Sequence, residues 1–376
     1  MKTFEFKLKP TKKQEAALLA VLIGSRRLYN ECLEELIDHY KETGKYLHIY
    51  EQDKRHGKAQ HPDLPAVVVD TTLKRVHRSF DNFFRGLREG RKVGFPRFKG
   101  AHRWDTFSFR DAGNHLDGNR FKTPKICGGS IRAIVHRPLE GVFKFARIVK
   151  RPSGWYVQCV CETEPNPMPE NDRAIGLDMG ITYLLADSEG HFVENPKCLK
   201  ASLKRLAKAQ RVLARRKKGS RRRNKARKNV ARIHEKIVNQ RKDALHKASR
   251  YYVDRYQVIA IEDLQIGNMV RNHCLAMAIS DASWGQLRWD LTYKAEGAGR
   301  VLIAVAPQYT SQKCSRCGEY VPKALSVRTH VCPHCGYIAD RDTNAARNIL
   351  SKARTGSSVD NVGSSSPSVD REATPF

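Results

Sequence analysis

Hydrophobic positions change their spacing along the chain, and the changes mark its elements. Phe4, Phe6 and Leu8 alternate with Glu5, Lys7 and Lys9, the period of a half-buried strand that Pro10 ends. Thr11 with Gln14 three residues on is a capping-box signature, so a helix starts there, and Gly24 is expected to break it. A second helix carries Tyr29, Leu33, Leu36 and Tyr40 on one face. A third, beyond a polar loop, carries Leu73, Val76, Phe80, Phe83 and Leu87. These stripes read as helix-bundle core. The pattern then turns to strands: ARIVKR and WYVQCVCE flank a Pro152-Ser153-Gly154 turn as a hairpin. Val157, Cys159 and Cys161 fall on one face of it, so these cysteines read as core residues.

The Pro-rich stretch EPNPMPEND, Glu164 to Asp172, is the expected linker and the clearest domain boundary. Beyond it, RAIGLDMGITYLLADSEGHFVE reads as three short strands, and VIAIEDL and VLIAVAP as two buried ones. Between them, Lys200 to Arg250 is helical in pattern. Leu203, Leu206, Ala209 and Leu213 share one face, Val230, Ile233, Ile237 and Ala244 another, and Gly219-Ser220 separates the two helices. DRDTNAARNIL starts a last helix. The tail from Ser351 to Phe376 has no periodicity and is expected to be disordered.

Length and charge sharpen the picture. A chain of 376 residues has room for two or three domains. Its net charge of +30 calls for a polyanionic partner, and nucleic acid is the usual one. Lys200–Arg250 alone holds 21 basic residues against two acidic ones. A charge run is ordinarily a solvated face, but one holding most of the excess charge reads better as a phosphate-binding surface. Its candidate contacts are Arg215, Arg216, Lys217, Lys218, Arg221, Arg222 and Arg223. In Gly94–Phe109, Arg97, Lys99 and Arg103 are interleaved with aromatics. That mixture suits single-stranded nucleic acid, and equally a basic loop with its aromatics in a core. No signal peptide and no run of about 18 apolar residues is seen, so no membrane partner is expected. Ten scattered or paired cysteines do not form a secreted framework, so a reducing cytoplasm is the expected compartment.

Two residue sets carry chemistry. Asp178 lies in the apolar strand AIGLDMG, Glu262 closes VIAI, and Asp342 opens the last helix. An acid at the end of a buried strand is costly unless solvated, paired or bound to a metal. Three converging carboxylates offer hard oxygen ligands for Mg²⁺ or Mn²⁺, and two such ions can support phosphodiester cleavage. Asp263 and Asp340 stand beside two of these acids, and either Asp340 or Asp342 suits a helix N-cap. Cys314-x-x-Cys317 and Cys332-x-x-Cys335, 14 residues apart, can hold a structural Zn²⁺ tetrahedrally, with disulfides as the alternative.

GLDMG, AIEDL, TSQKCSRCG with CPHCG, and DRDTNAARNIL together resemble the TnpB family of insertion-sequence proteins, as do SDASWGQLRWDLTYKAEGAG, GSRRLYNECLEELIDHY and GFPRFKGAHRWDTFSF. The resemblance covers Met1 to about Leu350. It implies an α/β plus β-barrel architecture. A wedge β-barrel (1–10 and 100–164) would hold an inserted helical recognition lobe (11–99), and a linker (165–172) would follow. An RNase H-like RuvC nuclease domain (173–308 and 338–350) would be split by the basic helices (200–250) and a zinc ribbon (309–337), ahead of the tail (351–376). It implies Asp178, Glu262 and Asp342 as the catalytic triad. It also implies a guide RNA from the element's own 3′ region and a double-stranded DNA target cut beside a short flanking motif. The expected activity is therefore RNA-guided DNA cleavage in a prokaryotic cell, close to the nucleoid. A strand-joining transposase and a non-cleaving RNA-guided repressor are the alternatives.

Overall fold

The alternation at the start of the chain forms strand β1 (Lys2–Lys9), which buries Phe4, Phe6 and Leu8. In the computed structural model, which describes residues 1–56, 60–101, 103–109, 115–324 and 326–356, the chain divides into two units between Glu164 and Pro165. In the first unit, Thr11 caps helix α1 (Lys12–Thr43): Gln14 N donates to Thr11 Oγ1 at 3.3 Å, and Thr11 N to Gln14 Oε1 at 3.0 Å. The expected break at Gly24 does not occur, and one helix runs through it. The glycine has a packing role instead. A Cβ there would lie 2.8 Å from Leu64 Cδ2, so the missing side chain lets the following segment close against the helix. Helices α2 (Ile49–Arg55) and α3 (Ala66–Arg88) complete the layer. Tyr29, Leu33, Leu36, Leu73, Val76 and Phe80 are buried, while Tyr40 and Leu87, assigned to the same stripes, are exposed.

The rest of this unit is antiparallel sheet: β2 (Thr106–Phe109), β3 (Leu116–Asp117), β4 (Arg120–Thr123), the short helix α4 (Pro124–Cys127), β5 (Gly129–Ile134), β6 (Val142–Arg151) and β7 (Gly154–Glu162). The order is β2-β6-β7-β1-β5-β4-β3, with β1 near the centre. Cys159 and Cys161 are buried on its inner face. The ladder ends at β2 and β3, and among the described residues those edges are not paired. The described residues thus form one seven-stranded antiparallel sheet accompanied by helices.

The second unit is α/β. Strands β8 (Ala174–Met179), β9 (Tyr183–Asp187) and β10 (Phe192–Glu194) are followed by helices α5 (Cys198–Ala214) and α6 (Arg221–Arg255). Strand β11 (Val258–Glu262), helices α7 (Ile266–Met269), α8 (Ala276–Ala282) and α9 (Trp284–Ala298) and strand β12 (Val301–Val305) come next. The hairpin β13 (Thr329–Val331) and β14 (Ile338–Asp340) leads into helix α10 (Arg341–Arg354). The sheet order is β10-β9-β8-β11-β12, with β8, β11 and β12 parallel and β9 and β10 antiparallel. Parallel strands are covered on both faces, which is why these runs are apolar without alternation. Ile175, Leu177, Ile259 and Ile261 pack with Tyr252, Leu287 and Leu291, whereas Ala260 and Val305 pack with Ile349 of α10.

Two boundaries differ from expectation. Helix α10 continues through Arg354, past the Ser351 at which the disordered tail was expected to begin, because its last turns still bury Ile349 and pack Ala353. The remainder of that tail, 357–376, lies outside the described residues. The Pro-rich linker is also held to the second unit. Asn166 N donates to Gly297 O at 3.2 Å, Met168 N to Ala298 O at 2.9 Å, and Arg300 Nη1 to Pro169 O at 2.9 Å.

Candidate active site

Strand register decides where the acids stand. Leu177 of β8 pairs with Ile261 of β11 in a parallel ladder, so the next residues, Asp178 and Glu262, occupy adjacent positions at its end. Side chains at matching positions of neighbouring parallel strands lie on one face. The third acid arrives on α10, and a glycine lets it in. A Cβ on Gly176 would lie 2.0 Å from the Ala346 carbonyl oxygen and 2.9 Å from Leu350 N. Only a residue without a side chain allows the α10 backbone to rest on β8 here. Ala346 follows Asp342 by one turn, and Gly176 precedes Asp178 by two residues, so this contact carries Asp342 toward Asp178.

The electrostatics report the convergence. Burial, followed by the charges of Glu262 and Asp342, pushes the Asp178 carboxyl well above its ordinary value. Burial also raises Glu262, against the Thr310 hydrogen bond and the Lys352 charge, which act to lower it. The Thr310 hydroxyl lies 2.5 Å from Glu262 Oε1. Asp342 is approached by Arg341 Nε at 3.3 Å and by Arg328 Nη1 at 3.4 Å. Burial and neighbouring acids thus disfavour the charged form of Asp178, and a hard divalent cation is a group that relieves such a carboxylate. The donor set is all oxygen, the chemistry that a hard divalent cation takes.

The two neighbouring acids have other partners. Asp263 forms an ion pair with Arg288. Asp340 is the N-cap of α10, accepting from Asp342 N at 2.8 Å and Thr343 N at 3.2 Å. That resolves the choice between Asp340 and Asp342 as the cap.

The cysteine cluster is built from two like turns. Gly318 N donates to Cys314 O at 2.9 Å and Gly336 N to Cys332 O at 3.0 Å, and both glycines take positive φ (81° and 68°). Each CxxCG turn therefore needs its glycine to close. The four sulfurs lie within 4.8 Å of one another, with Cys314 Sγ 3.7 Å from Cys335 Sγ and Cys317 Sγ 3.6 Å from Cys332 Sγ. None of the four is joined in a disulfide, the alternative left open by the sequence. Metal–sulfur bonds of about 2.3 Å in a tetrahedron put sulfurs about 3.8 Å apart, so the cluster fits one metal ion.

Several residues that position the site lie inside the quoted motifs, which do not reveal what they do. Asn344 and Asn348, one turn apart on α10, reach the ribbon. Asn344 Nδ2 donates to Lys313 O at 2.8 Å, its Oδ1 accepts from Ser315 N at 2.9 Å, and Asn348 Nδ2 donates to Thr310 O at 2.8 Å. They tie the first cysteine turn and the Glu262 partner Thr310 to the helix that bears Asp342. Gly176 and Thr310 belong to the same group. Their roles depend on contacts between segments far apart in sequence, which periodicity does not report.

The basic candidates are dispersed. Arg215, Arg216, Lys217, Lys218, Arg221 and Arg222 are exposed at the turn of the α5–α6 hairpin, whose own core is Leu206, Ala209, Ile233 and Ile237. Arg223 is engaged instead. Its Nη1 donates to Leu213 O at 3.0 Å and Arg216 O at 2.8 Å, capping the end of α5. The hairpin is held at its base by Asp281 of α8, which accepts from Leu199 N at 3.0 Å, Lys200 N at 3.2 Å and Arg241 Nη2 at 2.8 Å. In the first unit, Arg97, Lys99 and Arg103 line a cavity of about 580 Å³ with Phe95 and Phe98. Those two rings are about half exposed, whereas Trp104, Phe107 and Phe109 are buried. The aromatics of the segment thus divide between surface and core.

Comparison with known proteins bears on all of this. The OrfB_IS605 family profile, described as "Probable transposase", matches residues 157–273. A Cas12f1-like TNB domain profile matches 284–349, and a helix-turn-helix profile matches 1–45, where the structure has β1 followed by the single helix α1. A Streptomyces pristinaespiralis protein named as an RNA-guided DNA endonuclease is 35% identical over 363 residues, covering 93% of this chain and 88% of that one. InsQ of Escherichia coli K12, named likewise, is 29% identical over 376 residues, covering 93% and 92%. The CRISPR-associated endodeoxyribonuclease Cas12f1 of Sulfoacidibacillus thermotolerans is 28% identical over 241 residues, covering 60% and 57%. A solved Cas12f1–sgRNA–target DNA complex aligns at 15% identity with a TM-score of 0.37, covering 93% of this chain and 98% of that one, so the fold rests on the topology described above. With identity of this extent along most of both chains, the protein belongs to the TnpB (OrfB) family, whose relatives carry the name RNA-guided DNA endonuclease.

Proposed function

We propose that this chain is an RNA-guided DNA endonuclease of a transposable element, with Asp178, Glu262 and Asp342 as its catalytic, metal-binding acids. The observation that carries the reading is the meeting of these acids from β8, β11 and α10, expressed in the raised Asp178 carboxyl. The β10-β9-β8-β11-β12 order, with acids at adjacent strand ends, supports a RuvC-like, RNase H-type nuclease domain. When bound, Mg²⁺ or Mn²⁺ would supply an activated water and stabilise the leaving oxygen. The chain's own part is to fix the oxygen ligands. Thr310 orients Glu262, Asp340 caps the start of α10 so that Asp342 sits in its first turn, and Gly176 sets the distance between helix and strand.

Cys314, Cys317, Cys332 and Cys335 would hold a structural Zn²⁺, since their sulfurs match a thiolate tetrahedron and leave no open position. The exposed cations of the α5–α6 turn, with Arg97, Lys99 and Arg103, would meet phosphates of a guide RNA or its heteroduplex. The guide would come from the element's own 3′ region and direct the protein to double-stranded DNA in a prokaryotic cytoplasm. No described helix is long and apolar enough to cross a membrane. The test begins with the protein purified from cells carrying its element. The co-purifying RNA is sequenced, and a plasmid matching its 3′ end is offered with Mg²⁺. A cut at the match supports the reading, and a random RNA population with no cutting overturns it.

A further inference from the structure

Far in sequence from the acids, the helical part of the first unit gathers a second set of ligating side chains. His56 follows α2, and its two ring nitrogens have different neighbours. Nε2 lies 2.8 Å from Glu35 Oε2, and Nδ1 lies 3.2 Å from His61 Nε2. Glu35 also accepts from Gln52 Nε2 at 2.8 Å and from Arg55 Nη1 at 2.9 Å. With Nε2 facing the Glu35 carboxylate, the ring turns Nδ1 toward His61.

Glu31, one turn before Glu35 on α1, completes the set. A carboxylate oxygen of Glu31 and one nitrogen from each of His56 and His61 lie within 4.8 Å of one another. Metal–nitrogen bonds of about 2.0–2.1 Å in a tetrahedron put two nitrogens about 3.3 Å apart, close to the spacing of the two rings. A carboxylate on the far nitrogen is the usual support behind a metal-bound histidine, and Glu35 stands in that place.

We propose that Glu31, His56 and His61 form a second metal site that takes a borderline divalent cation of the Zn²⁺ class and ties His56 and His61 to α1. Two imidazoles and one carboxylate suit such an ion better than Mg²⁺, and the fourth position is left to solvent. The site shares no residue with the acids or the cysteine cluster.

The full-length protein with its co-purified RNA is saturated with Zn²⁺, freed of unbound metal on a desalting column, and its zinc-to-protein ratio measured. The ratio should fall by one ion per chain in His61→Gln. The exposed Glu31→Gln, which disturbs no buried contact, should bind the same ion more weakly in a competition with a chelator. Loading with Co²⁺ separates the two sites, because thiolate-to-metal charge transfer arises only from cysteines. Those bands should be unchanged in His61→Gln, while weaker ligand-field bands are lost. If the cysteine cluster held no metal, the wild type would fall to one ion and the variant to none, and this site would still stand. An equal ratio in wild type and His61→Gln overturns it and leaves an imidazole–imidazole hydrogen bond.

Discussion

Replacing Gly176 by alanine adds one methyl group at the contact that brings α10 to the sheet. The new Cβ would sit 2.0 Å from the Ala346 carbonyl oxygen, and 2.9 Å from both Leu350 N and Leu350 Cβ. All three neighbours belong to a helix whose buried face cannot rotate away, since Ala345, Ala346 and Ile349 are fully packed. Ordinary contact begins near 3.4 Å, so helix and strand must part by about 1.4 Å at this point. Overpacking of this kind costs about 1–3 kcal/mol, equivalent to a drop of several degrees in the melting temperature of a unit of this size. The larger effect falls on the acids. Asp342 rides on the displaced helix, and a shift of about 1 Å between reacting groups costs about 100-fold in rate. The assay is plasmid cleavage by the RNA-loaded protein under single-turnover conditions, well below the variant's melting temperature, with target binding measured alongside. Cleavage should fall about 100-fold while binding is kept. A variant that melts and cuts like the wild type would refute the close approach. One that melts earlier but cuts normally would refute the claim that this contact positions Asp342.

Other consequences are open to direct measurement. Cys314→Ser should lose one zinc ion and destabilise the segment around β13 and β14, because structural zinc contributes folding energy; unchanged zinc content and melting would sink the assignment. Neutralising Arg221, Arg222, Lys217 and Lys218 should flatten the dependence of log affinity for RNA on log salt, and an unchanged slope would mean a merely solvated face. Asp281→Ala removes the shared cap of α5 and the partner of Arg241, so it should cost about 3–5 kcal/mol and raise hydrogen exchange in α5 and α6. Exchange unchanged there would show that the hairpin is anchored elsewhere. Asp178 has a folded pKa raised above its unfolded value. In chelator its contribution to stability is present below about pH 4 and lost as pH rises through the folded value. Asp178→Asn should therefore melt higher than wild type at neutral pH without metal, with the difference closing in acid and in Mg²⁺. Equal melting in chelator at neutral pH would remove the claim that the acids repel.

Much of this was legible in the sequence, because local patterns have local causes. Alternation gave β1, the Thr11–Gln14 pair gave the start of α1, and apolar runs without alternation gave the parallel strands covered on both sides. The acids drew attention because each closes a strand or opens a helix in an apolar setting. The CxxC pairs drew attention because their spacing is fixed by metal geometry. What stayed hidden depends on partners distant in sequence. Gly24 looks like a helix breaker until Leu64 is seen packed over it. Gly176 looks like an ordinary strand glycine until α10 lies on it. Arg223 reads as one more phosphate contact, yet its guanidinium closes the end of α5. A charge count cannot tell an arginine that caps a helix from one that faces solvent. The barrel expectation came from resemblance alone, because no local pattern in the sequence carries it.

The central claim is that Asp178, Glu262 and Asp342 act together as the cutting centre, while RNA-directed binding resides elsewhere in the chain. The most direct measurement is cleavage of a plasmid matched to the co-purified RNA, recorded with the bound fraction, for the wild type and for Asp178→Ala, Glu262→Ala and Asp342→Ala. The account predicts that the wild type cuts with Mg²⁺ or Mn²⁺ and stops with chelator. Each of the three variants should bind the target and leave it intact, and Asp263→Asn and Asp340→Asn should still cut. Cutting by the Asp178 or Asp342 variant, or a wild type that binds its target and never cuts with either metal, would contradict it.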